Sequence, residues 1–296
     1  MSWRVSLPCS RAQAEAVAHL DDAFAASSNP PVLVADEPDP ARPDDWVIHA
    51  YFDHPPTDAD LDTLAGLGRG LPELEALGED DWVTMSQAGL QPLRASRFYV
   101  YTPTHRGTVP AGAIPFEIDA GLAFGTGQHA TTAGCLDALD LLQKNGSIFA
   151  NVADVGTGTG LLAFAALALW PEAKCIATDI DTIAIDVARD NAAINGVKLG
   201  HGNGELLLAV ADGMDSPLLA ARAPFDLLIA NILAGPLIAL APAFDTALAP
   251  GGTIVLAGLL DTQAETVAHA YQVLGFRVID RGSGEWPVLV LTSPRA

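Results

Sequence analysis

The chain has 296 residues, enough for two domains of ordinary size. Half of its residues are apolar and 17% are charged, which excludes an intrinsically disordered chain. Its 36 acidic side chains against 15 basic ones give a formal charge of −21, so direct binding to nucleic acid or to an anionic membrane is not expected. The surplus of carboxylates favours a basic partner instead.

The cysteines, the histidines and the longest uncharged run lack the patterns that mark disulfide-bonded, metal-binding and membrane proteins. Cys9, Cys135 and Cys175 stand far apart without a C-x-x-C pair and predict reduced, buried thiols in a cytoplasmic protein. The seven histidines are scattered, so no metal site is expected. The uncharged run 227–244 contains a glycine and two prolines and predicts a strand, a turn and a short helix rather than a membrane span.

Residues 1–95 predict a small α+β domain. The segment 3–7 alternates as a strand, and Ser10 with Gln13 forms a capping box that opens a helix to about residue 26. The elements expected after it are strands at 32–35 and 46–52, a helix within 57–77 and a strand at 82–84. The order β-α-β-β-α-β is the ferredoxin-like pattern. Residues 96–117, extended at first and then rich in Pro and Gly, predict a linker.

Residues 118–296 predict an α/β domain with a Rossmann-like, mostly parallel seven-stranded sheet. After a helix from the threonines at 131–132 to Leu142, strands and helices alternate, which indicates crossover helices on a parallel sheet. The last two strands flank Gly282-Ser-Gly and predict a closing antiparallel hairpin. The predicted strands are 148–155, 174–179, 206–211, 226–231, 253–258, 276–281 and 286–292, with helices at 161–170 and from 182 to 195.

A glycine loop lies between the first strand and first crossover helix of that sheet. Residues 154–160 are Asp-Val-Gly-Thr-Gly-Thr-Gly, with Gly156 and Gly158 free to adopt a sharp turn close to a ligand. The dinucleotide fingerprint needs glycine at 161, where Leu161 stands. The spacing is typical of methyltransferases that use S-adenosylmethionine, whose cationic groups suit the preceding Asp154 better than a pyrophosphate does. The alternative is a bare strand-to-helix turn.

Acidic residues end the next two strands. Asp179 follows Gly156 by 23 positions, where a carboxylate accepts hydrogen bonds from ribose hydroxyls. Asp181 is either a surface charge or a residue at the start of a helix. Asp212 either accepts a hydrogen bond from the adenine amino group or is an aspartate that stabilises a turn.

Asn231 is the candidate on the substrate side. It follows an apolar strand and is expected at the carboxyl edge of the sheet, where open α/β folds bind ligands. Its amide oxygen can accept a hydrogen bond from an amine and aim the nitrogen lone pair at the methyl group. The alternative is an asparagine that caps the following helix.

A second glycine-rich segment, 121–132, precedes the first sheet strand and contains His129 and Thr132. We interpret it as a loop over the cofactor to which Thr132 donates, or as a turn in which Thr131 or Thr132 caps a helix. His129 is either a general base or a structural loop histidine.

Together these motifs resemble the bacterial ribosomal protein L11 methyltransferases, which are class I S-adenosylmethionine enzymes. The resemblance covers residues 119–292, and its most specific parts are the Gly121 segment, Ala-Asn-Ile-Leu-Ala-Gly-Pro at 230–236 and Glu-Trp at 285–286. Asp-Asn-Ala from Asp190 and Asn-Gly-Val from Asn195 also match. Two departures are Ala130, where the family usually has proline, and Tyr-Thr-Pro-Thr-His-Arg at 101–106 in place of a Pro-Ser-Trp-like segment.

The resemblance implies cofactor contacts from Thr132, Gly156, Gly158, Asp179 and Asn231. It implies methylation of lysine side-chain amines and an N-terminal amine on L11. It also implies a monomeric enzyme in which the N-terminal domain, residues 1–95, recognises the substrate and swings on its linker. Alternative functions are S-adenosylmethionine-dependent N-methylation of another protein or a small amine, an NAD-dependent oxidoreductase, and a binder without catalysis. Leu161 and the absence of a charged pyrophosphate partner disfavour the oxidoreductase.

Overall fold

A computed structural model describes residues 2–11, 13–14, 31–36, 44–52, 54–77, 92–103, 106–119 and 130–294. The chain divides into two compact units, Met1–Ser86 and Gln87–Ala296. Within the described ranges, no helix has both the length and the apolar character needed to span a membrane. All three cysteines are free and buried, as predicted.

The first unit is built on an antiparallel sheet. Its strand order is β2-β3-β1-β4, and each neighbouring pair is antiparallel. Val5 and Leu7 of the first strand lie opposite Ala50 and Ile48 of the third, and all four are buried because alternate strand residues share a face. The elements are β1 Ser2–Cys9, β2 Val32–Asp36, β3 Trp46–Phe52, α1 Asp58–Ala65 and β4 Glu73–Leu77. They confirm a small α+β domain and agree with the ferredoxin-like pattern, except that the last described strand is 73–77 instead of the predicted 82–84.

The capping box predicted between Ser10 and Gln13 is present. The Ser10 N–H donates to Gln13 Oε1 at 3.0 Å, and the Gln13 N–H donates to Ser10 Oγ at 3.4 Å. Of the helix expected to continue to about residue 26, the described residues beyond Ser10 are Arg11, Gln13 and Ala14, which are helical. The rest of that helix and the strand expected at 82–84 lie outside the described residues.

The helix expected within 57–77 is shorter, and its second half is a strand. A capping box between Thr57 and Asp60 starts α1, which ends at Ala65 before a glycine-rich turn. A Cβ on Gly68 would lie 2.5 Å from the Leu7 side chain, so this turn requires glycine. Residues 73–77 then pair with β1, and Glu75 accepts a hydrogen bond from Arg4 at 2.5 Å. Their helical propensity is overridden because the edge of β1 offers unpaired backbone groups.

The second unit contains the predicted seven-stranded sheet. The strand order among the described residues is β10-β9-β8-β11-β12-β14-β13, and β14 runs antiparallel to its neighbours. The order reverses between β8 and β11, which places a topological switch point at their carboxyl ends. The strands are β8 Asn151–Val155, β9 Lys174–Asp179, β10 Leu206–Val210, β11 Phe225–Asn231, β12 Leu248–Ala257, β13 Arg277–Arg281 and β14 Leu289–Thr292.

Helices cover both faces of this sheet. Val152 and Ile229 contribute to the core on one face, whereas their neighbours Ala153 and Leu228 contribute to the core on the other. Because both faces are buried, these strands are continuous apolar runs rather than alternating ones. The helices are α2 Ala130–Lys144, α3 Leu161–Leu169, α4 Thr182–Ile194, α5 Pro217–Arg222, α6 Ala234–Ala247 and α7 Asp261–Gln272.

The last two strands are joined by a longer connection than the predicted three-residue hairpin. Residues 282–288 link β13 to β14, so the strand expected from Trp286 begins at Leu289. The Gly282 N–H donates to the Val288 carbonyl at 2.9 Å. Pro287 has no N–H to donate to a strand ladder, so pairing cannot extend toward Trp286.

Two segments assigned to the linker from sequence are strands of the second unit. The strands β5 Leu93–Ala95, β6 Phe98–Tyr101 and β7 Ile114–Glu117 form a three-stranded sheet. Phe98 stacks on Phe116 with ring centroids 6.1 Å apart, and Phe116 lies 6.3 Å from the Phe164 ring of α3. This sheet is therefore packed on the second unit through its aromatic residues.

Candidate active site

The glycine loop lies at the carboxyl end of β8, beside the switch point of the sheet. Gly156, Gly158 and Gly160 have φ values of +76°, +54° and +87°, in the left-handed region that favours glycine. The N–H groups of Gly156 and Thr157 both donate to the carbonyl of Thr178, at 2.8 and 2.9 Å. The loop is thereby fixed to the end of the neighbouring strand β9.

Asp154 braces the loop from beneath. Its Oδ2 accepts hydrogen bonds from Thr157 Oγ1 at 2.6 Å and from the Ala163 N–H at 3.2 Å. The side chain is 1% exposed, and its Oδ1 has no hydrogen-bond partner among the described residues. Burial raises the pKa of Asp154 to about 7. Asp154 therefore supports the loop from inside the protein.

Asp179 ends β9 directly opposite the glycine loop. Its Oδ2 accepts the Gly158 N–H at 2.9 Å, and its Oδ1 accepts the Asp181 N–H at 3.1 Å. Each carboxylate oxygen has a second lone pair, so the partly exposed group retains acceptor capacity. Asp181 caps α4 by accepting the Ile183 N–H at 2.8 Å, which decides between its two predicted roles. Ile180, between the two aspartates, is 67% exposed.

Asp212 lies in a turn after β10. The Asp215 N–H donates to the Asp212 carbonyl at 3.0 Å, and the Ala211 N–H donates to the Asp179 carbonyl at 2.8 Å. The Asp212 side chain is exposed. The turn role predicted for this residue is present in the backbone, and the bond from Ala211 places this turn next to the end of β9.

Asn231 is held next to the glycine loop by the residue that follows it. A Cβ on Gly156 would lie 2.3 Å from Cγ2 of Ile232, and a Cβ on Gly258 would lie 2.4 Å from the Ile232 carbonyl oxygen. Ile232 is thus enclosed by two glycines, one after β8 and one after β12. The cap of α6 is Leu233, so the alternative role of Asn231 as a helix cap is wrong.

Thr132 lies in the first turn of α2, which packs against β11 and β12. Thr131 and Thr132 are 6% and 4% exposed. Because Ala130 is already helical, neither threonine is the helix cap that the sequence suggested. The preceding segment 121–129, with His129, lies outside the described residues.

The structure thus brings Gly156, Gly158, Asp179 and Asn231 together at one edge of the sheet. Such an edge offers backbone groups to a ligand, a carboxylate to its hydroxyls and an amide oxygen to an amine. The sequence analysis did not predict the contacts that Ile232 makes with two glycines. Gly258, at the end of a strand adjacent to β11, could have indicated such a close approach, but no function was assigned to it.

Comparison with known proteins identifies a family that matches the chain. Residues 4–293 match the model of the family described as "Ribosomal protein L11 methyltransferase (PrmA)". A ribosomal protein L11 methyltransferase of Brucella suis is 47% identical over 209 residues, covering 71% of each chain. One from Caulobacter sp. is 43% identical over 256 residues, covering 84% of each chain. The crystal structure of a ribosomal protein L11 methylase from Lactobacillus delbrueckii subsp. bulgaricus is similar with a TM-score of 0.58 and 26% identity, covering 70% of this chain and 99% of that one.

Proposed function

The chain belongs to the ribosomal protein L11 methyltransferase family, and on that premise we propose that it transfers methyl groups from S-adenosylmethionine to lysine side-chain amines and the N-terminal amine of L11. The observation that carries this proposal is the convergence of the glycine loop, Asp179 and Asn231 at the switch point of the sheet. In open α/β sheets this is the position at which ligands bind.

The residues at this edge fit S-adenosylmethionine. Gly156 and Gly158 let a ligand approach the backbone, and the free lone pairs of Asp179 accept hydrogen bonds from both ribose hydroxyls. The exposed Ile180 offers an apolar surface to the adenine, and the Asp212 carboxylate stands free for its amino group. Thr132 donates its hydroxyl to the same cofactor. When bound, the cofactor supplies an electrophilic methyl group on a sulfonium.

Asn231 orients the acceptor amine. Its amide oxygen accepts a hydrogen bond from the amine N–H, which aims the nitrogen lone pair at the methyl carbon. With the cofactor bound, Asn231 would align the amine nitrogen with the methyl carbon, and this alignment would supply most of the rate enhancement. An unperturbed lysine has a pKa near 10.4, so its proton must leave to solvent before transfer.

The remaining assignments concern the whole enzyme. The first compact unit, Met1–Ser86, recognises L11, the second unit, Gln87–Ala296, carries the methyltransferase site, and the enzyme acts as a cytoplasmic monomer without direct contact to nucleic acid. The charge of −21 supports a basic protein as the partner.

A transfer assay tests the proposal. The protein is incubated with methyl-labelled S-adenosylmethionine and ribosomal proteins from a strain that lacks this methylation. We expect label in L11 alone, in lysines and in the N-terminal residue after proteolysis. Label in a different ribosomal protein, or in a small amine added as a competitor, would refute the substrate assignment. Label on oxygen or sulfur atoms would refute transfer to amines.

A further inference from the structure

Asn191 of α4 connects two segments of the second unit through a single buried amide. Its side chain is fully buried. Its Oδ1 accepts the Asp119 N–H at 3.0 Å, and its Nδ2 donates to the Asp119 carbonyl at 3.0 Å and to the Thr159 carbonyl at 3.1 Å. Both donors of the amide are used, as a buried polar group requires.

The two segments joined by Asn191 belong to the cofactor edge. Thr159 is part of the glycine loop and follows Gly158, whose N–H donates to Asp179 on the opposite side. Asp119 ends the described stretch 106–119, and the described chain resumes at Ala130, the start of the helix that carries Thr132. Asn191 therefore holds both Thr159 of the glycine loop and Asp119 against α4.

Asn195, the C-terminal cap of α4, also binds a neighbouring segment through its side-chain amide. Its Oδ1 accepts the Glu117 N–H at 2.9 Å, and its Nδ2 donates to the carbonyls of Glu117 at 2.7 Å and Asn191 at 2.8 Å. These bonds hold Glu117 to the end of α4, but none of them reaches the glycine loop. Asn195 is therefore a control for the loss of an amide at the same end of the helix.

We propose that Asn191 is a positioning residue for S-adenosylmethionine, which holds the glycine loop and the residues around Asp119 in the arrangement that binds the cofactor. The inference rests on the proposed function, because it concerns the same cofactor edge. A loop fixed before binding loses less conformational entropy on binding, so the amide raises affinity without touching the ligand. It is expected to affect binding more than the methyl transfer step.

The test compares Asn191→Ala with Asn195→Ala. We expect the Asn191 variant to raise the Kd and KM for S-adenosylmethionine by about tenfold, while kcat at saturating cofactor stays within about twofold. The Asn195 variant should leave Kd within about twofold even if it lowers the melting temperature as much. Equal changes of Kd in the two variants would overturn the proposal, because both would then report only a general loss of stability.

Hydrogen exchange on the unaltered protein keeps the inference testable if Asn191→Ala does not fold. Because coupling between sites is reciprocal, S-adenosylmethionine should slow exchange of the Asp119 amide, whose hydrogen bond goes to Asn191. Unchanged exchange at Asp119 under saturating cofactor would overturn the proposal. If the unaltered protein does not bind S-adenosylmethionine in the same titration, the proposed function fails, and this inference fails with it.

Discussion

At the scale of single residues, two separate features require glycine at Gly156, and their effects on stability can be measured separately. Its φ of +76° strains any other residue, and a Cβ would lie 2.3 Å from Ile232, the neighbour of Asn231. Gly196 has a similar φ of +66°, but nothing lies within 4 Å of a Cβ there. Gly196→Ala thus reports the backbone strain alone, about 1–2 kcal/mol of unfolding free energy.

We expect Gly156→Ala to cost more than that and also to weaken S-adenosylmethionine binding, because the glycine loop that begins at Gly156 must shift away from Ile232. Urea unfolding and a cofactor titration on both variants check this. If the two substitutions have the same effect on unfolding and on cofactor affinity, the contact with Ile232 adds nothing to the backbone strain.

Asp154 predicts a pH dependence of stability. Burial raises its pKa to about 7, whereas an aspartate in the unfolded chain titrates near 3.9. The folded state therefore holds one more proton between these values. Its contribution to stability is fully present below pH 4 and is lost as the pH rises toward 7, at up to about 1.4 kcal/mol per pH unit.

Asp154→Asn keeps an oxygen for the hydrogen bonds from Thr157 and Ala163 but does not titrate. We expect the free energy of unfolding of Asp154→Asn, relative to that of the unaltered protein, to increase between pH 4 and 7 and then to level off. Urea unfolding across this range measures it, and two curves that stay parallel would contradict the assignment of the pKa.

Much of the site was predictable because its motifs are local. Asp179 was related to the glycine loop by its spacing of 23 positions from Gly156, and its hydrogen bond with the Gly158 N–H places it beside that loop. The hydrogen bonds by which Asp154 supports the loop were not predicted, because the sequence does not show which way its carboxylate points. Asn191 was noticed as part of a motif but given no role, since its partners Asp119 and Thr159 are distant in sequence and meet only when β7 and α4 come together.

At the scale of elements, an ion-paired carboxylate anchors the three-stranded sheet to α2. Asp140 is 1% exposed and pairs with Arg97 and with Lys144, the latter at 2.6 Å. Burial alone would raise its pKa, but Lys144 and Arg97 together lower it below the ordinary value. The stabilisation is therefore present above the pKa of the unfolded chain and is lost as the pH falls through the lower folded value.

We expect Asp140→Asn to lower the free energy of unfolding at pH 7 by about 1–3 kcal/mol, less than for a fully buried pair because Arg97 and Lys144 are partly exposed. The difference from the unaltered protein should shrink in acid. Asp186→Asn removes an exposed pair with Arg189 and should change stability little. Equal losses in the two variants would refute the anchoring role of Asp140.

The elements that sequence predicted well are those with a strong local pattern. The buried strands of the parallel sheet are continuous apolar runs, and α4 was bounded by Thr182 and the Asn195-Gly196 stop. The elements that were predicted wrongly are those whose conformation depends on pairing with a strand distant in sequence. Residues 73–77 are helix formers drawn into a strand by pairing with β1, and residues 114–117 form a strand because β6 lies beside them.

At the scale of the whole molecule, the charge of −21 predicts how the enzyme meets its substrate. Complementary charge accelerates encounter, and salt screens it. We expect kcat/KM for L11 to fall several-fold between about 0.05 and 0.3 M NaCl, while the Kd for S-adenosylmethionine changes by less than about twofold. Steady-state kinetics and calorimetry at both salt concentrations measure the two effects. A kcat/KM for L11 that does not depend on salt would contradict electrostatic steering.

The measurement that tests the central claim most directly is the intact mass of L11 during incubation with S-adenosylmethionine and either the unaltered enzyme or Asn231→Ala. Asn203→Ala, a substitution at an exposed turn, is the matched control. We predict stepwise gains of one methyl group with the unaltered and control enzymes. With Asn231→Ala the rate should fall about a hundredfold, while cofactor affinity changes far less. Cofactor binding without any gain in mass, or an undiminished rate with Asn231→Ala, would contradict the account.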